Sequence, residues 1–125
     1  MEHETVLLIG GLYHLGLAGF HLLFPRLFGW SKDLASLTTI NRNVMKILNL
    51  CLTTAFLIFA YVSLFHAREL VSSGLGRGLL VAIALFWLLR AVEQVVFFGV
   101  KNKISIAFVF LFLVGTILYS IPLVD

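Results

Sequence analysis

ILNLCLTTAFLIFAYVSLF, residues Ile47–Phe65, runs for 19 positions without an aspartate, glutamate, lysine, arginine or histidine. At about 1.5 Å rise per residue such a stretch makes a helix about 28 Å long, close to the ~30 Å hydrocarbon core of a bilayer. In lipid a lone segment must satisfy its own backbone N–H and C=O groups, and a helix does so. Three further blocks share this character. Val6–Phe24 holds His14 and His21, Leu79–Val100 holds Arg90 and Glu93, and Ile104–Val124 holds no charged side chain. The alternating ten-residue strands of a transmembrane β-barrel are absent. The sequence therefore predicts an all-α polytopic membrane protein, a four-transmembrane-helix bundle. It forms one domain over 1–125, with helices at about 5–24, 44–66, 78–100 and 104–123. An amphipathic cytoplasmic segment is expected at about 31–43.

Composition agrees. The chain is 61% hydrophobic and only 12% charged, with mean hydropathy +1.07, too few charges to coat a soluble domain. The pI of about 9.4 does not signal nucleic acid, because the basic residues flank the apolar blocks. The first block is not expected to be a cleaved signal peptide: its lead, Glu2-His3-Glu4, is not basic, and no small-x-small site precedes Pro25. A single cysteine, Cys51, excludes an internal disulfide and is assigned to packing.

Charge sets the expected orientation. The first loop and its flank carry Arg26, Lys32, Arg42 and Lys46, and the third loop carries Lys101 and Lys103. The other side has only Arg68 and Arg77. Six against two places the first and third loops in the cytoplasm and both termini outside it.

Pro25 is expected to end the first helix at Phe24. Ser31 reads as an N-cap, and Leu34, Leu37, Ile40, Val44 and Leu48 then recur at helical spacing into the second helix. Ala67–Gly78, with Ser72-Ser73-Gly74 and Gly76, reads as a flexible turn. Gly78 and Ala82 form a small-xxx-small pair suited to close helix approach.

Ionisable residues inside a membrane are costly and tend to face the bundle. Counted down from the outer surface, His14 falls at ~14 Å, Arg90 at ~18 Å, and Glu93, His21, Gln94 and Asn49 at ~22–25 Å. Ser105 lies at a similar level. His14 and His21, seven apart, share one face of the first helix. Arg90, Glu93, Gln94 and Phe97 share one face of the third, with Phe86 and Trp87 a turn above, and the two faces are expected to meet.

Three readings of this cluster stand. Arg90 and Glu93, at i and i+3, form an internal polar lock helped by Asn49, Gln94 and a histidine. Alternatively Arg90, Glu93, Gln94, His14, His21 and Asn49 line a ligand pocket, Arg90 meeting an anionic group and His21 or Glu93 moving a proton. The third reading is haem or metal ligation. Histidines about 10 Å apart along a helix cannot share one small metal ion, although one large cofactor could touch both. His66 sits too far along the second helix to join His21, and neither zinc-protease spacing nor a nucleophile elbow is present.

Tyr13-His14-Leu15-Gly16, the run His21–Trp30 and the run Leu85–Gln94 resemble segments of small bacterial membrane proteins without an assigned function. That resemblance implies a bacterial inner-membrane location. Pro25-Arg26-Leu27-Phe28, behind a histidine-bearing first helix, is similar to the start of the four-helix, haem-binding protoporphyrinogen oxidases of the HemJ type. Those enzymes keep a histidine in the first helix. The distances from His14 and His21 to Pro25 depart from their pattern, and the remaining helices do not follow it.

The expected function is binding of a small amphipathic ligand or lipid in a polar pocket of the cytoplasmic half, or service as a subunit of a membrane assembly. The partners expected are the bilayer itself, such a ligand, and a second copy or another membrane protein. A haem- or quinone-dependent membrane oxidoreductase and a small oligomeric proton-coupled transporter are the alternatives.

Overall fold

The computed structural model describes residues 2–124. In chain order the helices are α1 Glu2–Leu22, α2 Phe24–Leu27, α3 Trp30–Asp33, α4 Thr39–Phe65, α5 Ala67–Ser72, α6 Gly74–Phe98 and α7 Lys103–Ser120. Short 3-10 turns follow α3 (Leu34–Ser36) and α7 (Ile121–Leu123). α1, α4, α6 and the run from α7 to Leu123 are each long and apolar enough to cross a membrane, so the chain is an all-α, multi-pass four-helix bundle. Leu12, Ile58, Leu85 and Phe110 are among the many large apolar side chains turned outward, as a lipid-facing surface requires.

The bundle is built from two hairpins. α1 packs along α4, and α6 packs along α7. The hairpins join where α1 meets α7, and α5 wedges between α1 and α6 at the end that holds both termini. α4 and α6 approach each other through aromatic side chains: Phe56 stacks on Trp87 at 5.3 Å, and Phe59 meets Phe86 edge to face at 5.9 Å. Apolar burial drives little helix association in lipid, so close packing must hold the pairs. Glycines permit it. A Cβ at Gly115 would lie 2.7 Å from both Trp87 Cγ and the Tyr13 hydroxyl, and one at Gly11 would meet Leu64.

Several boundaries depart from the sequence reading. α1 ends at Leu22 rather than Phe24, because Pro25 has no N–H to continue it, and Phe24 opens α2 with the proline in the first turn, where a missing N–H costs nothing. The expected continuous segment over 31–43 is broken. Gly29 (φ 59°) starts α3, Ser31 lies inside that helix rather than capping it, and Leu37 is extended. Thr38 caps α4 by accepting from Asn41 N at 3.3 Å, so this helix begins at Thr39 instead of 44. Of the apolar stripe only Leu34 is buried.

The turn after α4 is helical: α5 fills 67–72, and Ser73 caps α6 by accepting from Gly76 N at 2.9 Å, four residues earlier than expected. Gly76 serves contact rather than flexibility, since a Cβ there would strike the backbone of Glu69 and Leu70. Gly78 faces open space and makes no close approach. Cys51 is exposed rather than packed. α6 stops at Phe98 instead of 100, and Asn102 caps α7 by accepting from Ile104 N at 2.8 Å.

Candidate functional site

The polar residues inside the bundle separate into two groups. The first surrounds His14, which is wholly buried. Trp87 Nε1 donates to His14 Nε2 at 2.9 Å. An indole N–H only donates, so Nε2 must supply its lone pair and the ring proton must sit on Nδ1. From Nδ1 that proton is shared between the Gly10 carbonyl at 3.0 Å and the Tyr119 hydroxyl at 2.9 Å. The Tyr119 hydroxyl is in turn 2.6 Å from Ser63 Oγ. Tyr13 adds a bond from its hydroxyl to the Leu111 carbonyl at 2.8 Å. Side chains of all four long helices meet here, and both nitrogens of His14 are used. No lone pair is left for a metal or haem iron while Trp87 is in place.

The second group lines a cavity of about 570 Å³ toward the other end of the bundle, within the ~300–1,000 Å³ range of small-molecule sites. Its geometry begins with Pro25. In an unbroken helix the N–H of residue 25 would bond the carbonyl of residue 21. Proline cannot, and the Asn49 amide donates to that carbonyl instead, Nδ2 to His21 O at 2.9 Å. This bond fixes which way the Asn49 amide points. Its Oδ1 then lies 3.0 Å from His21 Nδ1 and accepts the ring proton. The chain break thus selects the tautomer of His21, and Nε2 keeps a lone pair with no partner among the described residues. The ring is held flat against Phe24, 4.1 Å between centroids.

Arg90 lines the same cavity from α6. Its Nη2 donates to Gln94 Oε1 at 3.1 Å, and the guanidinium sits 4.5 Å over the ring of Phe112. Gln94 is oriented as firmly as Asn49: its Nε2 donates to Ser105 Oγ at 3.0 Å, whose own proton goes to the Gly99 carbonyl at 2.6 Å. Gly99 has φ 73°, a conformation that suits glycine and ends α6 there. Among the described residues no carboxylate reaches ion-pair distance of the guanidinium. The i, i+3 pairing of Arg90 with Glu93 is thus not a contact ion pair: the guanidinium bonds Gln94 at i+4, and Glu93 attracts it only from a longer distance. Gln94 continues the buried stripe through Ile83, Ala84, Trp87 and Ala91, whereas Glu93 lies beside it, half-exposed.

The cavity wall is aromatic. Phe56 stacks on Trp87, Trp87 on Phe112 at 5.6 Å, Phe112 on Phe108 at 6.0 Å, and Phe108 on Phe20 at 5.9 Å. His21 closes the belt, 5.1 Å from Phe56 and 6.1 Å from Phe20. All six rings line the cavity, with contributions from all four long helices.

Of the residues singled out in the sequence, His21, Arg90 and Gln94 come together on this cavity. Asn49 stands one bond behind His21 and faces a second hollow. His14 belongs to the other group, and Glu93 lines neither space. Spacing placed Trp87 on the face above Arg90 but gave no sign of its bond to His14, and Phe112, which seats Arg90, carried no signal beyond its apolar character. Pro25 signalled a helix end, without the vacant carbonyl that follows from it. Comparison with known protein families, with curated proteins and with solved structures finds no match to this chain.

Proposed function

We propose that this is a bacterial inner-membrane protein, with its first and third loops cytoplasmic and its termini outside, that binds one small amphipathic anion in the aromatic cavity. A carboxylate, a phosphate or a lipid head group meets Arg90, and the apolar body of the ligand lies against the aromatic belt. Nothing in this reading requires chemistry on the ligand. The observation that carries it is Arg90: a guanidinium inside a membrane-spanning helix, spending one N–H bond on Gln94, with no carboxylate among the described residues at ion-pair distance, and bordering a cavity large enough for a ligand. A half-buried cation in a membrane span is expensive unless it is compensated; Glu93 attracts it from beyond contact, and an anionic ligand supplies the direct partner.

Native mass spectrometry of protein released from mild detergent tests this. The wild type is expected to retain a small mass. Arg90→Leu should lose it, with affinity down about 10- to 100-fold for a charge-assisted bond, and Arg90→Lys should keep part of it. A bare wild-type protein, or undiminished retention by Arg90→Leu, sinks the reading.

His21 favours a second reading, a haem- or quinone-dependent carrier. A ligating histidine characteristically donates its other ring N–H to an acceptor, as His21 does to Asn49. A visible absorption band lost in His21→Ala and kept in a folded His14 variant would support it. The same band lost only with His14 would count against it.

A further inference from the structure

On the far side of Trp30 from the aromatic cavity lies a second hollow of about 490 Å³, and Trp30 lines both. One wall is the face of α4 that carries Arg42, Lys46, Asn49 and Leu50, spaced so that successive side chains stack on one stripe. The facing wall is Pro25, Trp30, Ser31 and Ala35 from the segment between α1 and α4. The segment is held in place by Arg42, whose Nε donates to the Leu34 carbonyl at 2.9 Å and whose Nη2 donates to those of Ala35 at 3.2 Å and Leu37 at 2.9 Å. The Leu34 carbonyl also accepts the Leu37 N–H at 3.1 Å, the bond that closes the 3-10 turn, so Arg42 clamps the end of that turn. Arg42 Nη1 and the Lys46 ammonium have no partner among the described residues. No acidic side chain lines the hollow.

We infer that this hollow is a binding site for an anionic phospholipid of the surrounding leaflet. Its phosphate would meet Lys46 and Arg42, and the upper part of an acyl chain would lie over Trp30, Pro25 and Leu50. Three features select this occupant. The lining joins two cations to an apolar floor, which a free inorganic anion would leave uncovered. The cations sit one and two turns into α4, a membrane-spanning helix, at the level where head groups lie. Trp30 is a side chain that favours this interface. The site is independent of the ligand proposed for Arg90 and rests only on the membrane-spanning fold.

Short-range quenching of tryptophan fluorescence by brominated acyl chains reads it. The chain has two tryptophans: Trp30, 7% exposed, lines both hollows, and Trp87, 1% exposed, lines only the aromatic cavity. Full-length protein would be placed in phosphatidylcholine vesicles containing a minor fraction of brominated phosphatidylglycerol, or of brominated phosphatidylcholine as control. The anionic lipid is expected to quench more at equal fraction. Lys46→Gln should cut that preference about fivefold, the weight of one basic residue at an anionic surface. Lys32→Gln, in the same segment but outside the lining, should leave it unchanged, and so should Arg90→Leu. Lys46 is exposed, so its replacement does not threaten folding. Equal quenching by the two lipids overturns the inference. A loss with Lys32→Gln as large as with Lys46→Gln would reduce the effect to general surface charge. A loss with Arg90→Leu alone would move the lipid to the aromatic cavity and Trp87.

Discussion

His14 and His21 sit on the same face of the same helix, seven residues apart, and the bundle uses them in opposite ways. His14 is closed: Trp87 fills one nitrogen, and Gly10 and Tyr119 share the proton of the other. His21 is half-open: Asn49 takes the Nδ1 proton, while Nε2 is left beside a cavity that also holds Arg90. Around His14 the two hairpins are stitched by hydrogen bonds and packed across glycines. Around His21 they part and leave about 570 Å³. A histidine in a membrane helix is therefore neither a lock nor a site by its identity or its depth. The difference lies in whether its partners use both nitrogens.

The comparison breaks most sharply on alanine replacement. His14→Ala leaves the Trp87 N–H buried without an acceptor, removes a partner from Tyr119 and opens a hole in the core. The expected loss is about 3 kcal/mol, combining a cavity with an unsatisfied donor. His21→Ala removes a half-buried ring at the cavity edge and should cost about 1 kcal/mol, yet abolish ligand retention if its open nitrogen is used. Reversible unfolding in mixed detergent micelles measures both. Equal losses would mean that the two histidines do the same work.

A second change attacks the closed end through packing alone. Gly115→Ala places a methyl group 2.7 Å from Trp87 Cγ and from the Tyr13 hydroxyl, two of the side chains that border His14. Overpacking of this kind costs about 1–3 kcal/mol, and the methyl group should also lengthen the bond from Trp87 to His14. The same substitution at Gly16, which meets open space, should be nearly neutral. Smaller again is Ser63→Ala, which deletes one hydroxyl partner of Tyr119. Hydrogen bonds inside membrane proteins average about 0.6 kcal/mol in such tests, and the loss should be near that figure.

Much of this fold was legible in the sequence, because membrane spans are declared by local composition. The expected meeting of the α1 and α6 faces is realised through His14 and Trp87, whereas Phe97, placed on the same face by spacing, is exposed and does not take part. The division of labour between the histidines was not legible. Trp87 and Tyr119 lie 73 and 105 residues from His14 along the chain, and nothing local announces them. The pairing of Arg90 failed for a related reason. Spacing allowed both Glu93 and Gln94, and only the direction of the bundle interior, set by the neighbouring helices, decided for Gln94. Charge suggested one partner, and packing chose the neutral one.

The least disruptive change tests how the open end is made. Pro25→Ala restores an N–H that can bond the His21 carbonyl, which now accepts only from Asn49 among side chains. A carbonyl oxygen has two lone pairs, so both bonds are compatible, and stability should shift by less than about 1 kcal/mol, in either direction. The geometry should change more than the stability. With the break repaired α1 runs on through Leu23, Phe24 leaves its place against the His21 ring, and the α2–α3 segment that carries Trp30 is redirected. Slower amide exchange is expected over residues 22–27, together with weaker ligand retention, in a protein that unfolds where the wild type does. If ligand retention stays intact while those amides become protected, the proline is only a helix end, and Asn49 alone aims His21. Asn49→Leu, which leaves the proline and removes the amide, then becomes the change that should close the difference between the two histidines.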